Sequence, residues 1–115
     1  MNEVKDIDRL LHITEAIDML ERHLAGVSLD DFYRNELLVN LAARQISIIG
    51  EAMNNLSDEL KQKYPDLPYA EARQMRNFLI HEYFDTNSRT LWETYTDDIL
   101  PLKEKIPKIQ KDLNS

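Results

Sequence analysis

Arg76, Asn77, His81 and Tyr83 stand in one short run, Arg-Asn-Phe-Leu-Ile-His-Glu-Tyr. Together these side chains suit cleavage of RNA without a metal. An imidazole, with a reference pKa of about 6.5, can take a proton from a ribose 2′-hydroxyl or return one to the leaving oxygen near neutral pH. A guanidinium can hold the phosphate with two N–H groups and stabilise the charge that builds on it in the transition state. Asn77 can orient that guanidinium or donate to the same phosphate. An Arg and a His on one helix are more often ion-pair and surface residues, and Tyr83 alone is an ordinary half-packed tyrosine at a helix end. Spacing by itself therefore does not assign catalysis.

The helix that carries the run sets its geometry. At about 100° per residue, Tyr83 lies about 20° from Arg76, so the two share a face with Ile80 between them. His81 is about 140° from Arg76, too far round one ideal helix for both to reach one atom. Convergence requires a distorted last turn, the reach of the Arg side chain, or a second subunit facing the first. A helix C-terminus also favours a protonated imidazole, by a few tenths to about 1 kcal/mol when exposed.

The elements that must position this run are all helices. The chain has only two glycines and four prolines, and its apolar residues recur at three and four, so no strand is expected. The pattern predicts a first helix from about Glu3 to Leu24, with Val4, Ile7, Leu11, Thr14, Ile17, Leu20 and Leu24 as its stripe and Asp6, Arg9 and Asp18 facing away. Gly26 is its expected stop. Asp30 or Asp31 is expected to cap a long, mostly buried second helix from about Phe32 to Leu56, inside which Gly50 signals close approach by a neighbour. Ser57 starts a short helix that Tyr64-Pro65 ends. Pro68 opens the motif helix, about Tyr69 to Tyr83, and the polar residues 85–88 turn the chain. Thr90 and Glu93 match a capping box for the last helix, which Pro101 and Pro107 are expected to kink or fragment.

The 115 residues, with no long linker or repeat, imply a single domain over residues 1–115. The absence of cysteine removes disulfides, thiolate chemistry and Cys-type zinc sites. No segment offers the roughly 20 apolar residues of a membrane span, and the N-terminus carries charges where a signal segment would not, so a cytoplasmic protein without a membrane partner is expected. A net charge of −7 excludes long passive tracking along a nucleic-acid backbone, which draws its affinity from Lys and Arg. Any RNA contact must be local. Acids crowd the first third of the chain, whereas Lys103, Lys105, Lys108 and Lys111 gather near its end, an asymmetry that can steer a polyanion, pair two subunits or simply be solvated.

Other signals are weaker. A two-metal carboxylate centre in a bundle needs Glu-x-x-His pairs, and none occurs. His12 and His23 have no second ligand at useful spacing and are expected at the surface or half-buried. Met19, Met53 and Met75 fit the core. Trp92 and Tyr95 could stack an RNA base, but packing beside the motif helix is the simpler expectation.

The motif resembles that of HepT-like proteins of the HEPN superfamily: Arg76 and Asn77, a spacer, then His81, any residue and Tyr83. Ile48-Ile49-Gly50-Glu51-Ala52, Tyr64-Pro65-Asp66-Leu67-Pro68, Leu91-Trp92 and Ile99-Leu100-Pro101 extend the resemblance over about residues 5 to 110. Tyr69 departs from it, since that family commonly has Trp after the Pro. The resemblance implies an all-α, up-and-down bundle of four to five helices that forms a homodimer, with both motifs lining a cleft at the interface. It also implies a metal-independent endoribonuclease toxin with no cofactor, catalysed by Arg76 and His81 with Asn77 and Glu51 in support. Its partner would be an MntA-type nucleotidyltransferase antitoxin that adenylylates Tyr83. Glu51 could pair with Arg76, orient His81 or serve as a purely structural ion pair. The alternative function is a non-catalytic partner that binds nucleotide or the nucleotidyltransferase.

Overall fold

The computed structural model describes residues 2–81 and 88–114, and among these the side chains of residues 2–4 and 78–81 lie outside the described set. The elements are α1 (Asn2–Leu24), α2 (Leu29–Arg34), α3 (Glu36–Asn54), α4 (Asp58–Lys63) and α5 (Tyr69–His81). An unbroken C-terminal run follows: α6 (Ser88–Glu93), a π-helical segment (Thr94–Ile99) and α7 (Leu100–Leu113). The class is all-α, a bundle of four long helical rods and two short helices. Among the described residues there is no strand, and no helix is long and apolar enough to cross a membrane.

The first helix buries the expected Ile17, Leu20 and Leu24, but toward its N-terminus it buries Leu10 and Ile13 in place of the expected Leu11 and Thr14. Leu10, Ile13, Ile17, Leu20 and Leu24 are nearly inaccessible, whereas Leu11 is 48% exposed. Positions 6, 10, 13, 17, 20 and 24 form a regular heptad-like face, and the residue that disguises it is Asp6, which is buried rather than turned outward. Its carboxylate accepts from the Ser57 backbone N–H at 2.8 Å and from the Ser57 hydroxyl at 2.6 Å. Ser57 Oγ in turn accepts from Leu60 N at 3.2 Å, so one chain of bonds caps α4 and ties it to α1. At the other end α1 stops at Gly26, whose φ of 80° is the left-handed conformation open to glycine.

The long second helix is two helices. Ser28, not Asp30 or Asp31, caps α2 by accepting from Asp31 N, and the two acids sit in its first turn. Asn35 is the break: its backbone is extended, its N–H bonds to Phe32 O, and its side chain accepts from Leu38 N to start α3. An Asn that satisfies a C-terminal carbonyl and an N-terminal amide at once makes the bend favourable, and apolar periodicity carries no sign of it.

The C-terminal run also differs from expectation. Thr90 lies inside α6, its carbonyl accepting from Thr94 Oγ1, while Glu93 pairs with Arg89, so no capping box forms. The backbone N–H of Leu100 reaches Tyr95 O, the five-residue bond of a π-helix. That widened turn precedes Pro101, which then sits in the first turn of α7 where its missing N–H removes no bond. Pro107 and Lys103 both face solvent, so water can meet the carbonyl that Pro107 leaves unpaired and the helix continues.

The buried residues form one cluster in which α3 is central, packed on α1 along one side and α5 along the other, with α7 closing against α1. Phe32, Trp92 and Tyr95 stack in sequence at 5.2 and 6.0 Å, placing the two aromatics of the last helix in packing. Tyr69 extends the α4–α5 connection by donating from its hydroxyl to Tyr64 O at 2.7 Å. Burial pushes its pKa up to about 12. The hydroxyl thus has a structural use at the position where the resemblance leads one to expect Trp.

Candidate functional site

The site begins with a missing side chain. A Cβ on Gly50 would stand 2.8 Å from the Ala72 carbonyl oxygen and 3.0 Å from Arg76 Cβ, so only glycine lets α5 lie this close against α3. The close approach expected from Gly50 is the α3–α5 crossing, and it lays Arg76 beside the next residue of α3, Glu51.

Arg76 Nη1 donates to Glu51 Oε2 at 2.9 Å. Its Nε and Nη2 both donate to Asn77 Oδ1, at 3.3 and 2.9 Å. The second carboxylate oxygen, Glu51 Oε1, accepts from Asn55 Nδ2 at 3.1 Å. The order is therefore Asn55 to Glu51 to Arg76 to Asn77, a fixed row from the end of α3 to the middle of α5. A guanidinium has five N–H donors, and among the described residues three of them are used, leaving two that no described residue takes.

Burial assigns the row a character. The Arg76 side chain is 20% exposed and that of Glu51 is 54% exposed. An ion pair with so open a partner adds only about 0–1 kcal/mol to stability, too little to explain it as a fold-holding contact. Its effect on chemistry is larger: the Arg76 hydrogen bond, followed by that from Asn55, holds the Glu51 carboxyl below its ordinary pKa, so the clamp is charged throughout the physiological range. The expected pairing of Glu51 with Arg76 is present, while the His81 side chain, the other expected partner, lies outside the described set.

His81 closes α5, but its side chain lies outside the described set, and Glu82 and Tyr83 lie outside the described residues altogether. The convergence of Arg76 with His81 and Tyr83 is thus not part of this geometry, nor are residues 85–87 of the expected turn. Asn55 was not singled out in the sequence; its signal is the four-residue spacing from Glu51, which puts both on one face of α3. Arg73 makes a parallel contact one turn earlier, from Nε to Asn54 Oδ1 at 3.2 Å. His12 and His23 are exposed, as their isolation suggested.

The family model for HepT-like ribonucleases matches residues 13–109, and the chain belongs to that family. A protein of Caldanaerobacter subterraneus subsp. tengcongensis, provisionally named an RNase, is 37% identical over 87% of this chain and 89% of its own length. Another from Thermococcus cleftensis, provisionally named ribonuclease HepT, is 36% identical over 90% of this chain and 94% of its own. In Methanocaldococcus jannaschii, a protein whose name joins a gamma-glutamylcyclotransferase to a provisional RNase is 39% identical over 96% of this chain. This chain spans only 50% of that protein's length. No solved structure gives a significant match.

Proposed function

We propose that the chain is a metal-independent endoribonuclease, the toxin of a toxin–antitoxin pair, in which Arg76 clamps the scissile phosphate and His81 moves the proton. One observation carries this reading. Arg76 is a shielded guanidinium, held by Glu51 and Asn77 with two N–H groups that no described residue takes, in a family of ribonucleases. Those two donors match two phosphate oxygens and stabilise the charge that grows as the 2′-oxygen attacks phosphorus. His81 accepts the 2′-hydroxyl proton, and the departing 5′-oxygen takes a proton from the imidazolium so formed or from water. The products are a cyclic phosphate and a 5′-hydroxyl end.

Because one helix separates Arg76 and His81 by about 140°, the reading includes a homodimer whose two motif helices line a common cleft. It also includes silencing by an MntA-type nucleotidyltransferase. An AMP on Tyr83, on the Arg76 face, competes with RNA phosphate for the guanidinium and fills the cleft without unfolding the protein. The acidic net charge favours a second reading, a non-catalytic partner that binds nucleotide or the nucleotidyltransferase.

Cleavage of total cellular RNA in EDTA by wild type and His81→Ala separates the two. The nuclease reading expects cutting by wild type and a loss of about 10²- to 10⁴-fold in the variant. If unmodified wild type does not cut, the partner reading replaces it. ATP with the cognate transferase is expected to abolish cutting by wild type and to leave Tyr83→Phe active.

A further inference from the structure

Beside the Arg76 row runs a groove that the motif does not include. It lies between α1 and α3, with a volume of about 560 Å³. One wall is Lys5, Arg9 and His12, at i, i+4 and i+7 on α1, which places them on one face about 6 Å and then about 10 Å along the helix. The other wall is Ser47, Glu51 and Asn55, again one face of α3. Lys5, Arg9 and Asn55 continue into an adjoining hollow at the start of α4, where Asp58 and Glu59 join the lining. Glu51 belongs to the groove and to the Arg76 pair together, so the guanidinium stands one hydrogen bond from the groove wall.

The charges of the two walls differ in availability. Glu51 has both oxygens engaged, by Arg76 and Asn55. Asp8 adds a negative charge to the lining. Lys5, Arg9 and His12 make no hydrogen bond or ion pair with any other described side chain; Lys5 and His12 are exposed and Arg9 is half-buried. A row of donors spaced along one helix, across the groove from the Glu51 that holds Arg76, fits a short stretch of single strand. It does not fit long tracking, which the net charge of −7 opposes.

We infer that this groove binds the RNA strand flanking the cut site, with Lys5 and Arg9 each on a phosphate and His12 donating to the same backbone. The inference rests on the ribonuclease reading for the identity of the ligand. It gives an acidic protein a local polyanion contact in a groove whose wall, Glu51, also holds Arg76.

The test measures binding of a fluorescent single-stranded RNA by anisotropy between 50 and 200 mM salt, beside cleavage of the same RNA. It compares wild type, Lys5→Ala/Arg9→Ala and the charge-preserving Lys5→Arg/Arg9→Lys, with oligomeric state followed by sedimentation. Two lost phosphate contacts on a single strand flatten the log–log salt slope by about 1.4, so the advantage of wild type over the Ala pair shrinks about 7-fold across that range. The charge-preserving pair is expected to keep the wild-type slope. Equal slope and affinity in wild type and the Ala pair overturn the groove while leaving the nuclease reading intact. Binding that weakens as expected in a protein that does not cut supports the groove and removes the nuclease. Wild type that binds no RNA overturns the inference. So does a Lys5→Ala/Arg9→Ala protein whose only change is in sedimentation, which makes the groove a contact between copies.

Discussion

Asp6 and Glu51 each bind with both carboxylate oxygens, and they do opposite work. Asp6 is 3% exposed and is saturated by the amide and hydroxyl of one residue, Ser57, 51 positions away. Glu51 is 54% exposed and divides its oxygens between Asn55 on its own helix and Arg76 on the next. Water cannot replace the partners of the buried acid, so Asp6 holds the fold. At the open acid water can replace them at little cost, and what Glu51 determines is where a guanidinium points. Equal hydrogen-bond counts thus carry unequal energies, and burial decides which is which.

That contrast can be broken in graded steps. Asp6→Ala leaves the Ser57 amide and hydroxyl unpaired in the interior and is expected to cost about 2–3 kcal/mol in urea denaturation. Gly50→Ala improves helix propensity but drives a methyl group against the Ala72 carbonyl, so α5 must shift; a net loss of about 1–2 kcal/mol is expected from the same measurement. Glu51→Gln is expected to change stability by less than about 1 kcal/mol, and a loss as large as that of Asp6→Ala would erase the distinction.

The smallest effect is in pH. The folded pKa of Glu51 is lowered, chiefly by the Arg76 hydrogen bond, so its contribution is present above the ordinary carboxylate range and is lost as pH falls through that lowered value. NMR titration of the Glu51 carboxyl is expected to show a midpoint that rises toward the ordinary value in Arg76→Ala. An unchanged midpoint would mean that the pair does not form in solution.

Much of the site was legible before the fold. The Arg-Asn pair stood out by residue type, Gly50 by its presence inside a helix, and Ser57 by its place before Asp58 and Glu59. What periodicity misread were positions where a polar residue has one distant or one local partner. Asp6 looks like solvent surface until Ser57 arrives from 51 residues on, and the stripe of α1 is displaced there, to Leu10 and Ile13, while Ile17, Leu20 and Leu24 stand where periodicity puts them. Asn35 divides an apolar run because it can serve two helix ends, a local bonding choice that hydrophobic pattern does not record. Pro101 was expected to kink or fragment the last helix, yet a π-helical turn ahead of it absorbs the missing donor. Asn55 was missed because its role depends on Glu51 being open to solvent.

The most direct measurement is metal-free RNA cleavage by Arg76→Ala and Arg76→Lys, each first shown to unfold at the wild-type denaturant midpoint. Arg76→Ala is expected to lose about 10²- to 10³-fold, with little recovery in Arg76→Lys, whose ammonium cannot present the two-pronged fork. A folded Arg76→Ala protein that cuts RNA at the wild-type rate would contradict the role of Arg76 as the phosphate clamp.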